Sequence, residues 1–194
     1  HGKNQNYLTP EGRVPAKTLP YPWESCIPAG GGWSYSPGAT YMTGRQGIHL
    51  LIDIVAKGGN LLLNVAPSPE GEWDKGAYEL LQAYGDWMKV NSTAIYNTKP
   101  IEPYKEENIC FTQNKAGNVF AFYLAKEGED KIPAEVTVKA ISPKKGTKIT
   151  MLGSKTSLKW TKEGNGFKVV IPESLRNNLP AKEAWTLKIE AINR

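Results

Sequence analysis

Cysteine and histidine are scarce in this chain. The two cysteines, Cys26 and Cys110, stand far apart with no CxxC, so neither a cysteine metal site nor a disulfide framework is supported. Of the two histidines, His1 and His49, the second falls inside a helix pattern, where a structural role is expected rather than metal or base chemistry. No metal and no cofactor is expected. No apolar run approaches the roughly 20 residues of a membrane span. No signal peptide is read, and the chain opens on HGKNQN without Met, as a mature, trimmed or truncated protein would. Concentrated charge is missing too. The formal net charge is +5, but the basic residues are scattered. The densest run, Lys144, Lys145 and Lys148, lies between strand-like segments without interleaved aromatics and reads as a solvated face, so no nucleic-acid partner is expected. There is no internal repeat and no low-complexity tract.

What is present is an ordinary globular composition. The chain has 194 residues, 40% hydrophobic and 22% charged, enough for one or two domains. The stretch from Tyr7 to Tyr35 stands out. Its prolines forbid a long helix, and its aromatics are too many for a solvated linker. It carries two glutamates, Glu11 after Pro10 and Glu24 after Trp23, with Trp33 and Tyr35 close behind. Ordered loops with carboxylates and flat apolar faces suit a sugar-binding site; a proline-rich surface crossing with ordinary acids is the competing reading.

Thr43 then precedes a helix predicted from about Arg45 to Lys57, with Ile48, Leu51, Ile52 and Val55 on one stripe. Gly58 and Gly59 stop it. The apolar run Asn60 to Val65 reads as a parallel strand buried on both faces. Asp74 is expected to cap a second helix, about Lys75 to Val90. Helix, buried strand, loop, helix is the unit of an α/β fold. Beyond Pro100 the pattern turns to period two. Seven short strands are predicted, from Ile109–Thr112 through Trp185–Ala191, as in an antiparallel β-sandwich. The first hundred residues offer too little sheet to close a core, so the chain is expected to be the C-terminal part of a larger α/β protein.

The ordered motifs Tyr7 with Thr9-Pro10-Glu11, Pro22-Trp23-Glu24, Trp33-Ser34-Tyr35, Leu51 through Pro67, Trp87 through Asn91 and Ala94-Ile95-Tyr96 carry a resemblance. The chain resembles the C-terminal part of α-L-fucosidases of glycoside hydrolase family 29. It departs from the family's common pattern at Val65-Ala66-Pro67, where a glycine usually precedes the proline. The resemblance implies an α/β plus all-β fold, the C-terminal fragment of a (β/α)8-like barrel followed by an antiparallel β-sandwich. Residues 1–100 would be the end of the catalytic barrel and 101–194 the sandwich. It also implies a retaining exo-hydrolase of terminal α-L-fucose, acting on a fucosylated glycan, whose partner is the N-terminal part of the barrel, missing from this chain.

A retaining glycosidase needs two carboxyl groups about 5–5.5 Å apart. The family nucleophile is an aspartate at an earlier strand end. Asp53, Asp74, Asp86 and Asp130 do not match its motif, so the nucleophile is expected outside this chain, and the chain alone is expected to be inactive. Glu11 is the first choice for the acid/base, in the Thr-Pro-Glu position; Glu24 is its rival. Trp33 is the expected wall for the apolar side of fucose, with Trp23 and Tyr35 as supporting substrate-site residues. Trp73, Trp87, Trp160 and Trp185 fit core or interface positions. Asn64 is placed to bond a catalytic loop. Asn91-Ser92-Thr93 is a glycosylation sequon by pattern. A periplasmic or secreted location, bacterial rather than lysosomal, is expected. The alternative function is a non-catalytic carbohydrate-binding module or a structural β-sandwich.

Overall fold

The computed structural model describes residues 6–193; His1 lies outside them. In chain order the elements are β1 (Glu24–Pro28), α1 (Gly44–Ala56), β2 (Asn60–Asn64), α2 (Lys75–Ile95), β3 (Thr98–Glu106), β4 (Ile109–Asn114), β5 (Val119–Leu124), β6 (Glu135–Val138), β7 (Ile149–Met151), β8 (Lys159–Glu163), β9 (Gly166–Val170), α3 (Glu173–Arg176) and β10 (Ala184–Ile189).

The first half is a β-α-β-α unit. β1 and β2 pair in parallel, as a crossover through a helix requires. α1 starts on a reciprocal cap: the Gln46 amide N–H donates to Thr43 Oγ1 at 3.2 Å, and the Thr43 N–H donates to Gln46 Oε1 at 2.9 Å. Ile48, Ile52 and Ala56 form its buried stripe, and Gly58 takes φ +83 just past its end. Asp74 stands at the N-cap of α2 but makes no side-chain bond to the helix, which corrects the expected cap. The helix also runs five residues beyond Val90, to Ile95. Those residues are held by packing rather than propensity. Ala94 is fully buried, and its carbonyl accepts from Thr112 Oγ1 at 2.8 Å. The Asn91 amide is buried and donates to the Trp87 carbonyl at 3.0 Å. The sequon asparagine is therefore an interior helix residue.

The second half is a sandwich of a five-stranded sheet, β3-β4-β5-β10-β7, and a three-stranded sheet, β6-β9-β8, with hydrogen-bonded neighbours antiparallel. All seven expected strands are present. β3 was not expected, since Pro100 and Pro103 interrupt its pattern; it is an edge strand with a register shift between Pro100 and Lys105, which is where a sheet tolerates proline. Between the sheets lie Phe111, Ala121, Val136, Val138, Phe167, Val169 and Leu187.

The five-stranded sheet also has a second buried face. Cys110, Phe120, Phe122 and Ala184 pack against Ile48, Ile52, Trp87 and Ala94 of the helices. The result is three layers: helices, central sheet, outer sheet. Every residue of β5 is buried for this reason. Polar bonds fix the seam. Trp87 Nε1 donates to the Ala184 carbonyl at 2.9 Å, Arg45 Nε meets Glu183 Oε2 at 2.7 Å, and His49 Nε2 lies 2.8 Å from the Glu183 carbonyl. His49 is thus a structural histidine, and burial, ahead of the charge of Arg45, lowers its pKa. Only Tyr96 and Asn97 separate α2 from β3.

Candidate functional site

The segment around Leu8–Gly12 continues the parallel sheet on the side of β1 away from β2. Leu8 pairs with Trp23 and Glu11 with Cys26, both parallel. The backbone bonds are Glu24 N–H to Leu8 O at 2.9 Å, Cys26 N–H to Pro10 O at 3.1 Å and Gly12 N–H to Cys26 O at 2.9 Å. On the other side Glu24, Cys26 and Pro28 face Asn60, Leu62 and Asn64 in register.

Partners in register share a face, and successive residues alternate. Glu11, Glu24, Cys26 and Leu62 therefore project to one side, and Trp23, Ser25 and Ile27 to the other. Burial agrees with this division. Trp23 and Ser25 are 0% exposed, whereas Leu62 on the carboxylate face is 51% exposed. Trp23 packs directly on Gly59, where an added Cβ would meet indole carbons at 2.4 Å. Trp23 stands on the face opposite Glu24, closed to solvent, where it supports the strand from behind.

The same register sets the heights of the two glutamates. Glu11 is level with Cys26, whereas Glu24 is the first residue of β1, level with Asn60. At about 3.3 Å per residue, Glu11 sits about 7 Å nearer the C-terminal ends of the strands. Those ends carry the two long loops, 29–43 and 65–74.

The loop after β1 is pinched at its base. The Met42 N–H donates to Ala29 O at 2.9 Å, and Gly30 bridges Tyr41. A Cβ at Gly30 would lie 2.5 Å from the Thr40 carbonyl oxygen, so only glycine closes the base this tightly. Trp33 is 43% exposed. Its carbonyl accepts from Asn64 Nδ2 at 3.1 Å, so the last residue of β2 holds the loop as its position suggested. Tyr35 donates its hydroxyl to Asp74 Oδ1 at 3.3 Å, fastening the loop to the start of α2. That bond uses Oδ1, and neither carboxylate oxygen bonds the helix. Burial and then the Asp74 charge raise the pKa of both Tyr35 and Tyr41. Tyr41 and the anchoring role of Asp74 were not foreseen from the sequence; an aspartate before a helix looks like any cap.

Trp73 is another departure. It is 39% exposed, not core, and meets Tyr78 edge to face at 5.6 Å. Glu11 and Glu24 thus share one face of the parallel sheet, Trp33 and Tyr35 lie in the loop that follows β1, and Trp23 is behind the sheet. Among the described residues no group of three or more His, Cys, Asp or Glu could hold a metal ion. No described helix is long and apolar enough to cross a membrane.

Comparison with known proteins agrees with this layout. Residues 1–93 match the sequence profile described as alpha-L-fucosidase, and residues 103–190 match the one described as alpha-L-fucosidase C-terminal domain. The tissue alpha-L-fucosidase of Rattus norvegicus is 30% identical over 98% of this chain and 42% of the rat protein. That of Mus musculus is 32% identical over 96% of this chain and 42% of the mouse protein. Among solved structures, alpha-L-fucosidase isoenzyme 1 from Paenibacillus thiaminolyticus has a TM-score of 0.81 at 23% identity, over 97% of this chain and 45% of that one. Thermotoga maritima alpha-fucosidase in complex with fucose has a TM-score of 0.78 at 25% identity, over 94% of this chain and 42% of that one. The chain spans less than half the length of each of these proteins.

Proposed function

The chain belongs to the α-L-fucosidase family, and from that premise we propose that it forms the C-terminal part of a retaining exo-α-L-fucosidase. The reaction is a double displacement at the anomeric carbon of terminal α-L-fucose in a glycan. Residues 1–100 form the end of the catalytic barrel and 101–194 the supporting sandwich. The protein works outside the cytoplasm, in the periplasm or after secretion.

Glu11 is the acid/base. It protonates the glycosidic oxygen as the bond to the leaving group breaks, then removes a proton from the water that releases fucose. The observation that carries this reading is the register: Glu11 shares a face with Glu24 but stands nearer the strand ends, where barrel enzymes place their chemistry. Glu24, deeper on the same face, holds the floor of the site. Trp33 is the apolar wall for the sugar, at an orientation set by Asn64. Tyr35 fixes the loop through Asp74.

The nucleophilic aspartate comes from outside this chain. The four aspartates here have other positions: Asp53 pairs with Lys57 at 2.6 Å, Asp86 with Lys89 at 2.8 Å, Asp74 binds Tyr35, and Asp130 lies in a loop. Residues 1–194 alone are therefore inactive. A reading of the sandwich as a module that stacks neutral sugars on coplanar aromatics finds no support, since Phe120, Phe122 and Trp185 are buried.

The test is a pair of substitutions in the full-length enzyme. Glu11→Gln should lose hydrolysis of natural fucosides, keep it on an aryl fucoside with a good leaving group, and recover with azide. Full activity of that variant on natural glycosides would refute the assignment, and the same pattern from Glu24→Gln would transfer the role to Glu24.

A further inference from the structure

The outer end of the sandwich carries a feature that the proposed hydrolysis does not use. Residues 143–162 contain six lysines and no aspartate or glutamate. In the sequence Lys144, Lys145 and Lys148 read as a solvated face without interleaved aromatics; the fold brings Lys145 and Lys148 beside Trp160. β7 ends the five-stranded sheet and β8 ends the three-stranded sheet, so the two edges meet at an open corner of the sandwich. The corner is closed at its base by the Leu158 N–H donating to Ile149 O at 2.8 Å and by Trp160 Nε1 donating to Thr147 O at 2.8 Å. Above it lies a groove of about 1120 Å³, lined among others by Lys145, Lys148, Lys159, Lys162 and Trp160.

Lys145 and Lys148 lie at the turn before β7, and Lys159 and Lys162, three residues apart on β8, leave opposite faces of that strand at the edge of the groove. All four are exposed, and none enters an ion pair among the described residues. Glu163 follows Lys162 at the end of β8, and the Glu190 N–H donates to the Lys148 carbonyl at 3.2 Å. The indole of Trp160 is held rigid, edge to face with Phe167 at 6.2 Å, and forms a fixed apolar wall between the cations. Ser157, Thr161 and Asn193 add hydroxyl and amide groups to the rim.

We propose that this groove binds a densely anionic polysaccharide, one bearing sulfate or carboxylate groups, and holds the protein on it. Unpaired cations gathered around one groove complement a chain with repeated negative charge. Hydroxyl and amide groups beside a single fixed indole suit a pyranose chain. Single-stranded nucleic acid instead calls for several stacking aromatics along a track, and this groove has one, half-buried. The groove opens at the edge where the two sheets meet and shares no lining residue with the carboxylate face.

The test measures binding of the full chain to heparin, with neutral dextran and single-stranded DNA as parallel ligands, at 0.15 M salt. The variant Lys148→Glu/Lys159→Glu/Lys162→Glu is compared with Lys17→Glu/Lys115→Glu/Lys126→Glu, which changes net charge equally on exposed residues elsewhere. A Lys148→Gln/Lys159→Gln/Lys162→Gln variant gives the same readout without charge reversal should the first fail to fold. The expected result is heparin binding without dextran binding, weakened at least tenfold in the groove variants and less than twofold in the control. Absence of heparin binding, equal losses in groove and control variants, or tighter binding to DNA than to heparin would each overturn the proposal.

Discussion

Replacing Trp87 by Phe should weaken the attachment between the helices and the central sheet, and its cost can be worked out from the contacts. Trp87 is 2% exposed, lies 6.2 Å from the Phe122 ring, and gives its only N–H to the Ala184 carbonyl at 2.9 Å. Phenylalanine keeps an apolar ring but cannot donate. A buried acceptor left without its donor costs about 1–3 kcal/mol, and the space vacated by the smaller ring adds a cavity term. Together these give about 2–4 kcal/mol. For a chain of this size 1 kcal/mol shifts the melting temperature by about 2–4 °C, so the expected drop is roughly 5–15 °C by scanning calorimetry. The half-buried ion pair of Arg45 with Glu183 in the same seam is a useful contrast, since a partly solvated pair contributes about 1 kcal/mol or less; Arg45→Ala should move the transition far less. A Trp87→Phe protein melting within about 2 °C of the parent would refute the claim that this hydrogen bond and ring hold the layers together.

Three further outcomes follow from the geometry. Gly59→Ala should destabilise by about 1–3 kcal/mol, because the new methyl would meet the buried Trp23 ring, and a denaturant midpoint equal to the parent's would contradict that packing. Thiol labelling of the native chain at pH 8, read by mass spectrometry, should mark the half-buried Cys26 and spare Cys110, whose thiol burial pushes up to about 12; labelling of both at similar rates would contradict the buried position. His49 resists protonation when folded because burial lowers its pKa below the ordinary 6.5. The unfolded chain then binds a proton that the folded chain declines, so stability is unaffected above that value and falls as pH drops below it. His49→Gln should flatten the melting temperature between about pH 7 and pH 5, and an unchanged slope would remove His49 from the account.

Much of the fold was legible because its signals were local. Thr43 with Gln46 and the stripe of Ile48 and Ile52 mark α1 unaided. The end of α2 was hidden because Asn91-Ser92-Thr93 reads as a weak helix former; contacts with β4 and β5, far along the chain, hold it there. β3 was hidden by its prolines, and the full burial of β5 by a second packing partner that periodicity cannot reveal. At the candidate site, both glutamates and Trp33 were visible as residue types. Their heights and faces were not, since these depend on a register between Glu11 and Cys26 that Pro10 obscures. Once the strand is known, the turning of Trp23 away from Glu24 follows from alternation alone.

The passage from α2 into β3 takes only Tyr96 and Asn97, and the central sheet is walled by helices on one side and strands on the other. There is no tether for a protease to sever and no hinge on which the sandwich could swing. To remove it is to strip the helices of one wall and the sheet of its cover, since one buried cluster belongs to both halves.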